Sequence, residues 1–257
     1  MNRIREAIKE RGYALGGVTT MGDTNLIEMM ARAGVDFVWV EMQHSCPSPW
    51  DSRAISDMLR AAEIANSTLL VRVPEANPAL ICKVLDTGVR NILVPEISKQ
   101  EEIDATIRGG RYHIKPDDLG WRSLGSGREA MFTPRNIEVM EKINSEVMLG
   151  VMLEKKEAID GLGKLISLKG LDFVFIGPVD LSISLGIPLQ TTHPTFKEYF
   201  EKAVSYCKKE GILIGMNVSS AEDAKKRIDE GIKLITVGSD LRIVYSYFKE
   251  TLKKIKG

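Results

Sequence analysis

VMLGVMLEKKEAIDGLGKLISLKGLDFVFIGPVDLSISL, residues 147–185, is the stretch whose reading decides the fold. An apolar run, 147–153, ends in Glu154. A helical segment is expected over Ala158–Leu168, and a second apolar run, Phe173–Ile176, closes on Gly177-Pro178-Val179-Asp180. Both runs are apolar at nearly every position, which is the pattern of parallel strands covered on both faces. Neighbouring parallel strands finish on the same rim, so Glu154 and Asp180 are expected side by side at a mouth. Adjacent carboxylates repel unless a cation sits between them, and a divalent ion with oxygen ligands and retained waters is the economical answer. The plainer alternative makes Glu154 a helix cap and Asp180 an opening residue of the next helix.

The same alternation runs outward in both directions. Before it come strands over Ala14–Thr20, Asp36–Gln43, Ser67–Val73 and Asn91–Pro95, separated by helices over Thr24–Ala33 (Thr24 as cap), Pro49–Asn66, Asn77–Gly88 and Lys99–Arg108. A glycine-rich irregular region, Gly109–Arg128, precedes a helix from Thr133, and segments of that length are usually functional or mobile. After it come a helix near Thr195–Glu210, a strand Ile212–Val218, a helix from Ala221, a strand Leu234–Val237 and a last helix Leu241–Ile255. Eight strand–helix units predict a single (β/α)8 TIM barrel over residues 1–257. An open doubly wound sheet is the competitor, but no GxGxxG or GxxxxGK loop follows a strand.

Length and composition agree with one soluble domain: 257 residues, 44% hydrophobic and 27% charged. Thirty-five basic and thirty-five acidic residues cancel, which predicts a small-molecule partner and neither nucleic acid nor membrane. No signal-type segment or membrane-length apolar run is present, and the three cysteines form no CxxC pair. A reducing, cytoplasmic setting is expected.

In such a barrel the chemistry belongs to strand C-terminal ends. These carry Glu41, Gln43 and His44; Arg72; Pro95-Glu96; Glu154; Asp180; Asn217; and Ser239-Asp240. His44, with a carboxylate nearby, suits a proton shuttle, and a structural histidine is the alternative. His113 and His193 are expected at the surface. Arg72 within LLVRVP suits a carboxylate or a developing oxyanion; the alternative is a buried ion pair with Asp86 or Glu41. Backbone N–H groups of the Gly177-to-Ser182 turn can hold a carboxylate, so the expected ligand carries an anionic group and an adjacent oxygen for the metal, a description that a 2-oxo acid meets. Cys46 beside His44 is a weak nucleophile candidate without an activating environment.

DFVWVEMQHS (36–45), VRVPEANPALICKVLDTGVRNILVPEI (71–97), RYHIKPDDLGWRSLGS (111–126), VMLEKKEAIDGL (151–162) and GLDFVFIGPVDLSISLG (170–186) resemble, in order, the HpcH/HpaI aldolase family. The resemblance implies a barrel of the phosphoenolpyruvate/pyruvate superfamily and metal-dependent, class II cleavage of 4-hydroxy-2-oxo acids to pyruvate and an aldehyde. It implies Glu154 and Asp180 as metal ligands, for magnesium or manganese, with cobalt or zinc as alternatives. His44 would act as acid/base on the 4-hydroxyl through water, tuned by Asp86. Arg72 would stabilise the enolate oxygen, and the Gly177-Pro178-Val179-Asp180 backbone would hold the pyruvate carboxylate. Homo-oligomers are also implied, commonly hexamers of dimers that exchange the last helix. Four positions depart from the family pattern: Met152 replaces a glutamine in the substrate site, Glu41 an aspartate, Gln43 a glutamate and Val18 an aromatic residue. The RYHIKPDDLGWR loop is two residues longer than its RYPP-type counterpart. The other readings are a carbon–carbon or phosphorus–carbon bond enzyme of the same superfamily acting on a thioester or phosphonate, a lysine Schiff-base aldolase, and a non-catalytic barrel that binds 2-oxo acids. The Schiff-base reading lacks a lysine at the end of strand six.

Overall fold

In the computed structural model, residues 2–45, 47–125, 127–130 and 132–257 are described. The elements are α1 (Arg3–Arg11), β1 (Ala14–Thr19), α2 (Thr24–Arg32), β2 (Phe37–Glu41), α3 (Ser52–Glu63), β3 (Thr68–Arg72), α4 (Pro78–Leu85), β4 (Asn91–Val94) and α5 (Gln100–Gly110). A 3-10 turn, Arg128–Ala130, precedes α6 (Ile137–Glu146), β5 (Met148–Leu153), α7 (Lys156–Gly161), β6 (Phe173–Ile176) and α8 (Pro178–Ser184). Last come α9 (Pro194–Lys209), β7 (Leu213–Val218), α10 (Ala221–Asp229), β8 (Leu234–Ser239) and α11 (Asp240–Lys256). The strands pair in sequence order, all parallel, and β8 closes on β1. This is the (β/α)8 barrel that the alternation predicts.

Side chains alternate across each strand, so every second residue enters the barrel. The interior cluster holds Phe37, Trp39, Leu70, Leu93, Met148, Phe173, Phe175 and Leu234. Ile4 and Ala7 of α1 join it, so the leading helix plugs the lower end. Rings of this size fit because glycines stand opposite them. Gly16 is in register with Phe37, Gly150 with Phe173 and Gly215 with Phe175. A β-carbon on Gly150 would lie 2.2 Å from the Phe173 ring. The outer shell between strands and helices is aliphatic.

Several boundaries differ from the sequence expectation. Asp23, not Thr24, caps α2 by accepting from Asn25 N at 2.9 Å and Leu26 N at 3.0 Å. Asn136 caps α6 from Val139 N at 2.8 Å, so the helix begins after the Thr133-Pro134 turn. The helix expected over Ala158–Leu168 stops at Gly161, because Gly163 turns left-handed (φ 75°) and Ile166 N bonds back to Gly161 O at 3.0 Å.

At the lower rim the charges are paired. Asp172 accepts from Arg5 at 2.6 Å and Arg111 at 2.5 Å, and Asp36 from Arg3 at 3.1 Å and from Arg11. A cavity of about 470 Å³ opens on this rim. Its arginines are ion-paired too: Arg3 with Asp36, Arg90 with Glu146 and Arg128 with Glu63. Charges on this face hold the structure together.

Candidate active site

The upper rim is different, because the inward register that is apolar lower down turns polar there. On β2 the inward positions run Phe37, Trp39, Glu41; on β3, Leu70, Arg72; on β5 and beyond, Met148, Gly150, Met152, Glu154. Glu41 and Arg72 are direct register partners. Their Oε2 and Nε lie 2.5 Å apart, both side chains being largely buried. Of the two acids that spacing offers to Arg72, the structure therefore selects Glu41. The guanidinium also lies over Trp39, 5.3 Å from the ring centroid, and its Nη1 meets the Met152 sulfur at 3.3 Å. Among the described residues Nη2 has no hydrogen-bond partner, so one edge of the fork is left unused.

Glu154 is 1% exposed. Its Oε1 accepts from Glu96 N at 2.8 Å, an N–H aimed inward because Glu96 adopts a left-handed backbone (φ 57°). Its Oε2 is buried with no partner among the described residues. That oxygen lies against Gly177: a β-carbon there would sit 2.5 Å from it and 3.1 Å from the Met152 methyl. Burial pushes the Glu154 carboxyl above its ordinary range. The Glu96 N–H opposes the shift, repulsion by Asp180 adds to it, and Arg72 opposes it. Glu154 does not cap α7, whose Lys155 cap makes no side-chain bond. Asp180 sits exposed in the first turn of α8, near enough to Glu154 to repel it. The two acids thus stand within electrostatic reach of one another at the ends of consecutive strands.

An orphaned buried carboxylate oxygen with a second carboxylate beside it fits a hard divalent cation. No group of three or more His, Cys, Asp or Glu among the described residues could form a closed metal site. A pair of carboxylates alone would leave any such ion with coordination positions for water and a small molecule. No side chain caps α8, so by helix geometry the first-turn N–H groups of Val179 and Asp180, behind Pro178, have no intrahelical acceptor.

His44 lies exposed just beyond β2. Its backbone N–H donates to Glu41 Oε1 at 3.1 Å, next to that of Gln43 at 2.7 Å, and its imidazole has no partner among the described residues. The structure does not bring Asp86 to His44 within the chain. Asp86 ends α4 and accepts from Arg122 Nη2 at 2.7 Å, the Arg122 side chain being fully buried and over the Tyr112 ring. Cys46 lies outside the described residues. His113 is exposed and stacks on Trp121 (4.9 Å), whereas His193 is half-buried and caps α9.

Sequence reasoning missed two parts. Trp39 is two residues before Glu41 on the same strand, and simple alternation places it beneath Arg72. The Glu96 N–H has no sequence signal, because it depends on a left-handed non-glycine residue. Asp240, expected at the mouth, is buried and accepts from Thr19 Oγ1 (2.7 Å), Thr20 N (2.9 Å) and Met21 N (3.0 Å). It fastens β8 to β1 and does not face the mouth as a free acid.

Fold and rim together define a closed parallel barrel with a two-carboxylate, one-arginine mouth. Residues 20–246 match the model of the HpcH/HpaI aldolase/citrate lyase family, and the chain belongs to that family. It is 27% identical over 258 residues to the hydroxypyruvate/pyruvate aldolase of Paraburkholderia phytofirmans, covering 99% of this chain and 98% of the relative. It is 26% identical over 244 residues to a 4-hydroxy-2-oxo-heptane-1,7-dioate aldolase of Escherichia coli, covering 95% of this chain and 90% of the relative. The crystal structure of an HpcH/HpaI aldolase from Desulfitobacterium hafniense superposes with a TM-score of 0.86 at 25% identity, covering 98% of this chain and 96% of that one.

Proposed function

We propose that the chain is a divalent-metal-dependent aldolase that reversibly cleaves a 4-hydroxy-2-oxo acid to pyruvate and an aldehyde. The observation that carries this reading is the buried, unpartnered Glu154 Oε2 against Gly177, with Asp180 beside it and Arg72 on the facing strand wall. Glu154 and Asp180 would hold the ion, magnesium or manganese by the oxygen chemistry of the pair. Such an ion supplies Lewis-acid polarisation of the substrate's C2 carbonyl. The chain's own groups do the rest. Arg72 turns its free Nη2 edge to the oxygen on which negative charge develops as C3–C4 breaks. The uncapped Val179 and Asp180 N–H groups receive the C1 carboxylate. His44, with its imidazole unengaged, moves the 4-hydroxyl proton through water. Met152 closes the floor as a thioether where a hydrogen-bonding side chain would otherwise meet substrate, which favours apolar contact there.

The partners are a 2-oxo acid and an aldehyde, in a homo-oligomer. A cytoplasmic setting agrees with Cys82 and Cys207, which are unbridged. Among the described residues no helix is long and apolar enough to cross a membrane.

The test is a panel of 4-hydroxy-2-oxo acids of graded chain length, coupled to pyruvate detection, with and without chelator. Pyruvate release that chelator stops and Mg²⁺ or Mn²⁺ restores is the expected result. Release that survives exhaustive chelation, or full Mn²⁺ affinity in Glu154→Gln or Asp180→Asn, would contradict it.

A further inference from the structure

Glu41 is 4% exposed and uses both carboxylate oxygens. Oε1 accepts from the backbone N–H groups of Gln43 (2.7 Å) and His44 (3.1 Å). Oε2 accepts from Arg72 Nε (2.5 Å) and Trp39 Nε1 (3.3 Å). One buried group therefore ties the chain at His44 to the guanidinium of the neighbouring strand. Arg72 has a second acid within electrostatic reach, Glu154. Its other side-chain bond goes only to the neutral Met152 sulfur, a weak acceptor. Glu41 is thus the charged group bonded to Arg72, while Glu154 keeps one oxygen open.

We infer that Glu41 is the positioning residue of this mouth: it fixes Arg72 and the His44 segment in one arrangement and keeps Glu154 free. The inference deepens the proposed reaction and rests on it, but it carries an activity-independent consequence of its own. In a Glu41→Gln variant, similar in shape but uncharged, Arg72 loses its charged partner and swings toward Glu154.

The experiment compares wild type and E41Q as full-length protein. The first measurement is Mn²⁺ affinity. The second is exchange of pyruvate C3 protons into D₂O, which needs no knowledge of the aldehyde. The third is the side-chain Nε–H resonance of Arg72. E41Q should slow proton exchange at saturating pyruvate by about 100-fold, as for a misplaced catalytic group. It should weaken Mn²⁺ binding about tenfold, as for one displaced charge-assisted contact. It should also remove the paired Arg72 signal. Glu41→Asp, which keeps a carboxylate, should recover part of each. A residue that served only stability would lower Tm and leave Mn²⁺ affinity and proton exchange alone in the folded protein, and that outcome overturns the inference. If wild type neither binds Mn²⁺ nor exchanges pyruvate protons, the proposed reaction falls. Glu41 is then judged on the Arg72 signal, whose persistence in E41Q overturns the assignment. Should E41Q not fold, E41D carries the test, and wild-type values for all three measurements again overturn the inference.

Discussion

At the scale of single residues, the mouth is built at the expense of stability. Glu154 is buried, and burial raises its carboxyl above the ordinary range. A group whose folded value is raised favours the fold fully below the unfolded value and loses that contribution as pH rises through the raised one. Without a cation, ionising Glu154 in the native state therefore costs more than ionising it in the unfolded chain, and the cost grows as pH rises. Glu154→Gln should raise the Tm of the metal-free protein at pH 8 by a few degrees, at about 2–4 °C per kcal/mol for a chain of this size, and change it little at pH 4. The same variant should gain nothing from added Mn²⁺. Thermal scans at both pH values, with and without metal, check both halves. Gly177 is the companion case. Its backbone (φ −89°, ψ 95°) suits any residue, so glycine is needed there only for room, because a β-carbon would strike Glu154 Oε2. Gly177→Ala should fold and lose metal affinity and turnover by about 10- to 100-fold, since small misplacements at a site are costly. Titration with Mn²⁺ decides it.

At the scale of elements, the seam between β8 and β1 is where the barrel needs help. Its register slips between Gly16 and Val18, so the ladder is interrupted where the ring must close. Just beyond that gap Asp240, at the start of α11, takes Thr19, Thr20 and Met21 as donors. Burial alone would raise its carboxyl, but these donors together outweigh burial and hold it below the ordinary range. A depressed acid stabilises the fold above its unfolded value, and that contribution is lost as pH falls through the depressed one. Asp240→Asn should cost about 3 kcal/mol in urea unfolding at pH 7, and its deficit should shrink on going to pH 3. Equal deficits at both pH values would show that shape, not charge, closes the seam. Asp240 also marks where sequence reasoning stops. The strands and their parallel order were legible, and so was the placing of Glu154 and Asp180 at the ends of neighbouring strands, because apolar runs and strand-end charges are local patterns with one geometric consequence. The role of Asp240 was not, because its donors lie at the far end of the chain and only closure brings them together. The pairing of Arg72 with Glu41 was legible as one of two options. Choosing between them required the strand register, which periodicity alone does not fix. The early end of α7 turned on glycines 161 and 163, whose breaking effect depends on backbone angles the sequence merely permits.

At the scale of the whole molecule, α11 is the helix whose large apolar side chains are all left exposed by the single chain. Leu241, Tyr245, Phe248, Leu252 and Ile255 recur at spacings of four and three, which puts them on one helix face, and all five are exposed. A stripe of this kind in a water-soluble helix is the pattern of a seam that packs against another helix. The lysines at 249, 253, 254 and 256 fall off that stripe, although Ile243, Val244 and Tyr247 are exposed on the other faces as well. The barrel itself does not depend on the stripe, because the contact that closes it comes from Asp240 at the first residue of α11. Assembly and barrel stability should therefore separate. Phe248→Glu combined with Leu252→Lys should reduce the mass measured by light scattering at micromolar concentration to that of a smaller species, ultimately the 28.5 kDa chain. The far-ultraviolet circular dichroism of the barrel should stay in place, and the urea midpoint should shift by no more than the surface-substitution range of about 0.5 kcal/mol for whatever part of stability is intrinsic to one chain. An unchanged mass would mean that α11 does not carry the assembly. A collapse of the dichroism along with the mass would mean that the barrel and its last helix form one cooperative unit, stable only when copies associate.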